Sequence, residues 1–325
     1  MLISPCENAS GSTSRVPLAE RAARDPVTIV VTDSGLGGLS VCAELERRVR
    51  EDGLYRKARI LFANALPEAG QGYNRMRTSA EKVAVFEAAL KGIVRWCAPD
   101  VILVACNTLS VLLPEIRFAR ESSVPILGIV ETGVEALAER LRADPAAVGM
   151  IFGTETTIGS GMHKLLLVEQ GIAPDRLITQ QCPDLAGRIE ATGKGASAVS
   201  AIEGFVAQAL AQREVPPPTV YAGLCCTHYG YCAEVFEASL RSRGVSTPVI
   251  VNPNTRMVEI LFDQRQKGRF DHPDIQVEVI SRARISPEEQ ASIAGLVEPV
   301  SPPTAAALRS YSLKRDLFPY QPFRE

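Results

Sequence analysis

The chain has 325 residues, 46% hydrophobic and 22% charged, with 35 Lys and Arg against 37 Asp and Glu for a formal net charge of −2. That length suits about two domains, each able to bury its own core. No basic block offers a footprint for nucleic acid, no apolar run approaches the roughly 18 residues of a membrane span, and the polar start lacks the apolar stretch of a signal peptide, so a cytoplasmic protein is expected.

Residues 1–26, rich in Ser, Arg and Ala, read as a disordered arm. A strand at 27–31 runs into the turn Asp33-Ser34-Gly35-Leu36-Gly37-Gly38 and a helix at 39–49. A second strand at 59–63 and a long amphipathic helix at 79–96 follow. The third strand, 101–105, carries Cys106 at its tip, with a helix at 113–122 beyond. A second cycle starts at 124–130. Its strand at 147–152 ends in Gly153-Thr154, a helix spans 160–170, and a strand at 177–180 leads into Cys182-Pro183. The helix at 198–213 is stopped by Pro216-Pro217-Pro218, and a strand at 219–224 runs up to Cys226. A helix at 233–243, a late strand at 248–251 and a helix at 255–266 complete the cycle. Past about residue 276 the pattern breaks into one more strand at 277–282, a short helix at 286–295 and an appended arm to Glu325.

Alternating strands and helices predict an α/β fold with parallel sheets. The loose doubling of strand, glycine-rich turn, helix, then strand, cysteine, helix predicts two similar halves. The expected division is an arm at 1–26, an α/β domain at 27–125 plus 245–275 with the first cysteine, another at 126–244 with the second, and a C-terminal extension at 276–325.

Eight cysteines occur. A disulfide framework is not expected in a cytosolic chain of this size, and most are expected to be small buried side chains. Asn8-Ala9-Ser10 fits a glycosylation acceptor but lacks a secretory context. Two cysteines stand apart because each ends a buried strand and precedes small polar residues: Cys106-Asn107-Thr108, and Cys226-Thr227-His228-Tyr229. Ligands in open α/β sheets sit outside such strand ends. Two thiols there could face one carbon from opposite sides, removing a proton from one face and returning one to the other. Either cysteine alone reads as core. Cys225, next to Cys226 on the strand, points to the opposite face. A zinc site from Cys225, Cys226, His228 and Cys232 lacks the usual paired spacing.

The glycine-rich turn admits three readings. It is a carboxylate site with Asp33 as an ionisable partner, a nucleotide loop, or a tight turn capped by Asp33. The dinucleotide and P-loop spacings are absent. Thr154 and Thr157 either donate to a carboxylate or cap the next helix. Glu190, on a helix after Cys182-Pro183, reads by itself as solvated. His163 and His272 read as surface or capping residues.

Together these motifs resemble the glutamate racemase family of the aspartate/glutamate racemase superfamily. The likeness is carried by residues 33–41, by Ala105-Cys106-Asn107-Thr108, by Cys226-Thr227-His228-Tyr229, and by 124–130, 153–158 and 182–190 in the expected order. It covers roughly 27–270. The resemblance implies two pseudo-symmetric parallel-sheet α/β domains with the active site in the interdomain cleft. It implies a racemase independent of pyridoxal phosphate and of metals, an amino acid substrate and a link to cell-wall (peptidoglycan) synthesis. A homodimer stays open. Cys106 would take the proton from the D-enantiomer and Cys226 from the L-enantiomer. Asp33 and Ser34 would handle the ammonium group and assist Cys106, while Glu190 and His228 would tune Cys226. Asn107, Thr108, Thr154, Thr157 and Thr227 would bind carboxylates. Of the family's Pro-Tyr-Gly loop only Tyr73 remains, in Gly72-Tyr73-Asn74, which leaves the group at the far end of the substrate open. A one-thiol isomerase or decarboxylase of the same superfamily, and an amino-acid-binding regulator without turnover, are the alternatives.

Overall fold

The computed structural model describes residues 24–262 and 267–321. Nearly all of the 1–26 arm, with Asn8, lies outside them. The chain folds into two all-parallel sheets. The first has six strands: β1 (Val27–Asp33), β2 (Lys57–Asn64), β3 (Val101–Val104), β4 (Ile126–Gly128), and, late in the chain, β9 (Asp274–Ser281) and β10 (Ser312–Leu313), in the order β10-β9-β2-β1-β3-β4. The second holds β5 (Val148–Gly153), β6 (Leu177–Gln181), β7 (Thr219–Cys225) and β8 (Thr247–Val251), ordered β6-β5-β7-β8.

The central strands, such as β3 and β5, are apolar and buried because helices cover both faces. In β1, Ile29 and Val31 enter one core with Leu39, Leu45, Phe62 and Leu103. Val30 points the other way, into a core with Phe86, Leu90, Ile93 and Ile102. This second core runs on to Val134, Leu137, Ile151 and Leu167, so one apolar layer spans both sheets. No described helix is long and apolar enough to cross a membrane.

Sheet membership departs from the expected division in three places. Ile126–Gly128, assigned to the second half, is the outer strand of the first sheet, where it pairs with β3. Thr247–Val251, assigned to the first half, pairs with β7 in the second sheet. The segment from 274 onward, read mostly as an extension, is integral to the first sheet. β9 aligns with β2 along its whole length, from Lys57↔Asp274 to Asn64↔Ser281. It covers what would otherwise be an exposed edge, helped by a forked Arg59–Glu278 pair at 2.6 and 2.9 Å. The helix Pro287–Val297 starts with a reciprocal capping box between Ser286 and Glu289. A further helix, Pro302–Arg309, stands where an irregular arm was expected. Beyond it, Leu317 and Phe318 are buried against the Ser79–Cys97 helix.

Candidate active site

Both sheets change direction at the same relative place. From β1 the chain moves outward to β2, then returns to the other side of β1 as β3. From β5 it moves outward to β6, then returns as β7. Each reversal leaves a crevice at the carboxyl ends of the strands, where the covering helices diverge. Register fills the crevices. Thr32↔Val104 sets Asp33 and Ser34 beside Ala105 and Cys106. Gly153↔Cys225 sets Thr154 beside Cys226. The two crevices open into one cavity of about 390 Å³, lined by both thiols. Cys106 and Cys226 are only 5% and 7% exposed, so the cavity is their route to solvent.

The surroundings of the two thiols differ. Cys106 Sγ lies 3.1 Å from Ser34 Oγ. Burial, then the nearby Asp33 charge, pushes the Cys106 thiol well above its ordinary range, and the Ser34 contact offsets only part of this. Asp33 accepts a 2.7 Å hydrogen bond from Thr227 Oγ1 through Oδ2. Its Oδ1 is buried without a partner among the described residues. An unpaired carboxylate oxygen in a cavity wall is costly unless a ligand supplies a donor.

Cys226 Sγ lies 3.6 Å from His228 Nδ1, and the far nitrogen, Nε2, is 2.7 Å from Glu190 Oε1. Burial alone would lower the imidazole pKa. The Glu190 charge and the contacts with Cys226 and Glu190 overcome that and hold His228 well above 6.5, as an imidazolium. Burial likewise works against the Glu190 carboxylate, but His228 and the Leu36 backbone N–H, donating at 2.6 Å, hold its pKa below 4.5. Thus Glu190, from the helix Leu185–Thr192, ties His228 to the glycine-rich turn of the other half. Close approach there requires glycine. A Cβ on Gly37 would fall 2.2 Å from Thr227 Oγ1 and 2.6 Å from His228 Nδ1.

Of the remaining expected residues, Asn107, Thr108, Thr154, Thr227 and Tyr73 line the cavity. Thr157 does not. It stands behind the wall, where its hydroxyl meets Thr154 Oγ1 at 3.0 Å and Thr108 Oγ1 at 3.4 Å, and its N–H donates to Thr154 Oγ1. The helical turn after β5 rotates it inward, behind the capping residue Thr154. Tyr73 presents its body to the cavity while its hydroxyl donates to Ala65 O at 3.1 Å. Cys225 turns to the opposite side of β7 and packs in the core with Val134 and Leu137. Burial, then the Cys226 charge, pushes its thiol up to about 12.

Several wall residues were not among the expected site residues. Asn64 ends β2 and Arg75 follows it, Asp184 and Cys182 come from the entrance to the Glu190 helix, and Arg284 and Glu289 from the late segment beyond β9. His163, read as a surface or capping residue, is 4% exposed and lies 3.1 Å from Asn107 Oδ1 through Nε2. The signal that could have placed it is its position on the first turn of an apolar helix, Met162–Glu169.

A family model described as Asp/Glu/Hydantoin racemase matches residues 29–250. The chain belongs to that family. Among curated members, it is 30% identical to the glutamate racemase of Caulobacter sp. (strain K31) over 273 residues, 77% of this chain and 87% of that one. With the glutamate racemase of Aquifex pyrophilus it is 31% identical over 143 residues, 44% of this chain. In that alignment the chain spans about half the length of the relative, 51%. Among solved structures, glutamate racemase from Francisella tularensis in complex with D-glutamate superposes with a TM-score of 0.63 at 17% identity, covering 85% of this chain and 95% of that one. The Campylobacter jejuni glutamate racemase gives 0.60 at 22% identity, covering 84% and 97%. At these identities the structures establish a shared fold.

Proposed function

We propose that the cavity is the active site of an amino acid racemase that interconverts the enantiomers of glutamate or a related amino acid by transfers between two thiols. The observation that carries this is the pair of strand-end cysteines on one cavity, each with its own partners: Ser34 and Asp33 for Cys106, His228 and Glu190 for Cys226. Racemisation needs one thiolate and one thiol at the start of each turnover. The His228 imidazolium, 3.6 Å from Cys226, is positioned to neutralise charge on that sulfur. Burial and Asp33 favour the protonated form of Cys106. The resting site therefore suits removal of the α-proton by Cys226 and its replacement on the opposite face by Cys106. Afterwards Cys226 holds a proton and Cys106 has lost one, so the next turnover runs in reverse or the thiols re-equilibrate through solvent.

The carbanion formed in between is the high-energy species. Its negative charge spreads onto the carboxylate, where aimed hydrogen-bond donors in a water-poor cavity supply several kcal/mol. In the wall the Asn107 amide nitrogen has no partner among the described residues and is free to donate, and the Thr108 and Thr154 hydroxyls line the cavity with it, while the Thr227 hydroxyl proton goes to Asp33. The orphaned Asp33 Oδ1 is the natural acceptor for the substrate ammonium. By analogy with the family, Cys226 would act on the L-enantiomer and Cys106 on the D-enantiomer. Glutamate as substrate would connect the chain with cell-wall (peptidoglycan) synthesis.

The test follows each enantiomer separately in deuterated water. The wild type should invert both with deuterium at the α-carbon. Cys106→Ala and Cys226→Ala should each abolish inversion, while the remaining thiol still exchanges the α-proton of the one enantiomer it faces. Inversion persisting in either variant overturns the two-thiol mechanism.

A further inference from the structure

Behind the wall, outside the cavity, sits an imidazole that the proton transfers do not use. His163 is 4% exposed, and its one polar contact among the described residues is Nε2 to Asn107 Oδ1 at 3.1 Å. Its other nitrogen, Nδ1, is buried with no partner among the described residues. Asn107, the residue after Cys106, is 1% exposed and lines the cavity, yet its amide nitrogen also has no partner. Two arrangements fit the same heavy-atom positions, because the amide can be turned over and the ring can carry its proton on either nitrogen. In one, Nε2 carries the proton and donates to Oδ1, leaving a bare lone pair on Nδ1. In the other, the amide is flipped, Nδ1 carries the proton, and that N–H is buried with no acceptor. Each arrangement leaves one donor unpaired: in the first it is the Asn107 NH₂, at the cavity wall where a ligand can accept from it, and in the second it is the His163 N–H, behind the wall where none can, and such orphaned donors are rare in folded proteins. The first arrangement is therefore favoured.

We propose that His163 is a positioning residue: as the Nε2–H tautomer it holds the Asn107 carbonyl, so that the Asn107 NH₂ is the group offered to the ligand. That makes this part of the wall a receptor for a carboxylate oxygen. A flipped amide would present a carbonyl there and repel one. The ligand in this statement rests on the racemase reading above, whereas the orientation of Asn107 does not. A charged imidazole would still donate, but burial lowers the His163 pKa to about 4, so the ring is neutral and its single proton defines the amide.

Two measurements on the full-length protein test this. The first is the nitrogen-15 and proton spectrum of histidine-labelled protein, in which His163→Gln identifies the His163 signals among the three histidines. A neutral Nε2–H ring unchanged between about pH 6 and 8 is expected. An Nδ1–H ring, or titration within that range, overturns the proposal. The second compares His163→Phe, which removes the donor, with His163→Gln, which can keep one. For glutamate, His163→Phe should raise KM about tenfold or more, the range for a hydrogen bond to a charged group, with kcat changed less than about threefold. His163→Gln should recover most of the KM. A folded His163→Phe with unchanged KM overturns the proposal, as does an equal KM rise in both variants. If the wild type turns over no amino acid, the racemase reading falls, and the tautomer measurement alone decides whether His163 sets the amide.

Discussion

Glu190→Gln isolates the electrostatic side of the Cys226 half-site, because it removes one charge and leaves the shape nearly unchanged. In the wild type, Glu190 overcomes the effect of burial and keeps His228 charged. Without that charge only the Cys226 contacts oppose burial, and the imidazole is less readily protonated. Cys226 then loses part of the positive charge 3.6 Å from its sulfur. At that separation two unit charges interact by about 4.6 kcal/mol for an effective permittivity near 20. The glutamine can still accept from Leu36 N–H and touch the imidazole, so this figure is a ceiling. The expected loss in kcat/KM is about 10²–10³ at neutral pH. Because the two enantiomers are equal in energy, kcat/KM must fall by the same factor in both directions, so the direction of reaction is not diagnostic. The pH profile is. The deficit should be largest near pH 7 and should narrow as pH rises past about 8.5, where an ordinary thiol ionises unaided. Racemisation followed by circular dichroism from either enantiomer across that range provides the profile. A deficit below about threefold at pH 7, or one constant from pH 7 to about 10, refutes the assignment of Glu190 and His228 to Cys226.

Three other outcomes follow from the same geometry. Gly37→Ala puts a methyl 2.2 Å from Thr227 Oγ1 and 2.6 Å from His228 Nδ1. It should cost about 1–3 kcal/mol in denaturant unfolding and depress kcat more than Gly204→Ala, where a Cβ would meet nothing within 4 Å. Thr108→Val should raise the substrate KM about tenfold, whereas Thr157→Val, behind the wall, should lower stability by about 1 kcal/mol with little change in KM; steady-state kinetics and melting curves separate the two. The Glu190–His228 pair also predicts a pH window for stability. The depressed Glu190 pKa contributes fully above 4.5 and is lost as pH falls through its folded value, while the raised His228 pKa contributes fully below 6.5 and is lost as pH rises through its folded value. The melting deficit of a Glu190→Gln, His228→Asn double variant should therefore be greatest between pH 4.5 and 6.5 and narrow on both sides.

What could be read from the sequence was what lies close together along it. Cys106 and Cys226 declared themselves because a buried parallel strand is a continuous apolar run, and the residue ending it is exposed to a crevice by the fold's own topology. Cys225 was separable from Cys226 by strand alternation alone. Sheet membership was a different matter. Strands β4 and β8 are short, and nothing in Ile126–Gly128 or Thr247–Val251 distinguishes pairing with β3 from pairing with β7, since partner choice depends on neighbours far along the chain. The late segment hid for a related reason. β9 alternates Ile and Val with Asp, Gln and Glu, as suits its partly exposed outer position, and Leu317 and Phe318 form an isolated apolar pair in a polar tail. Their counterpart is Gly92 in the Ser79–Cys97 helix, where a Cβ would lie 2.0 Å from the Leu317 carbonyl. A glycine inside a helix is normally a cost; here it makes room for a segment 225 residues later. The same separation in sequence explains Thr157 and His163. One was assigned to the wall because its motif is short and polar, and the other was set aside because a lone histidine has no motif. Both stand behind the wall, against Thr154 and Asn107 respectively, and only the folded chain shows that each touches a lining residue and does not line the cavity itself.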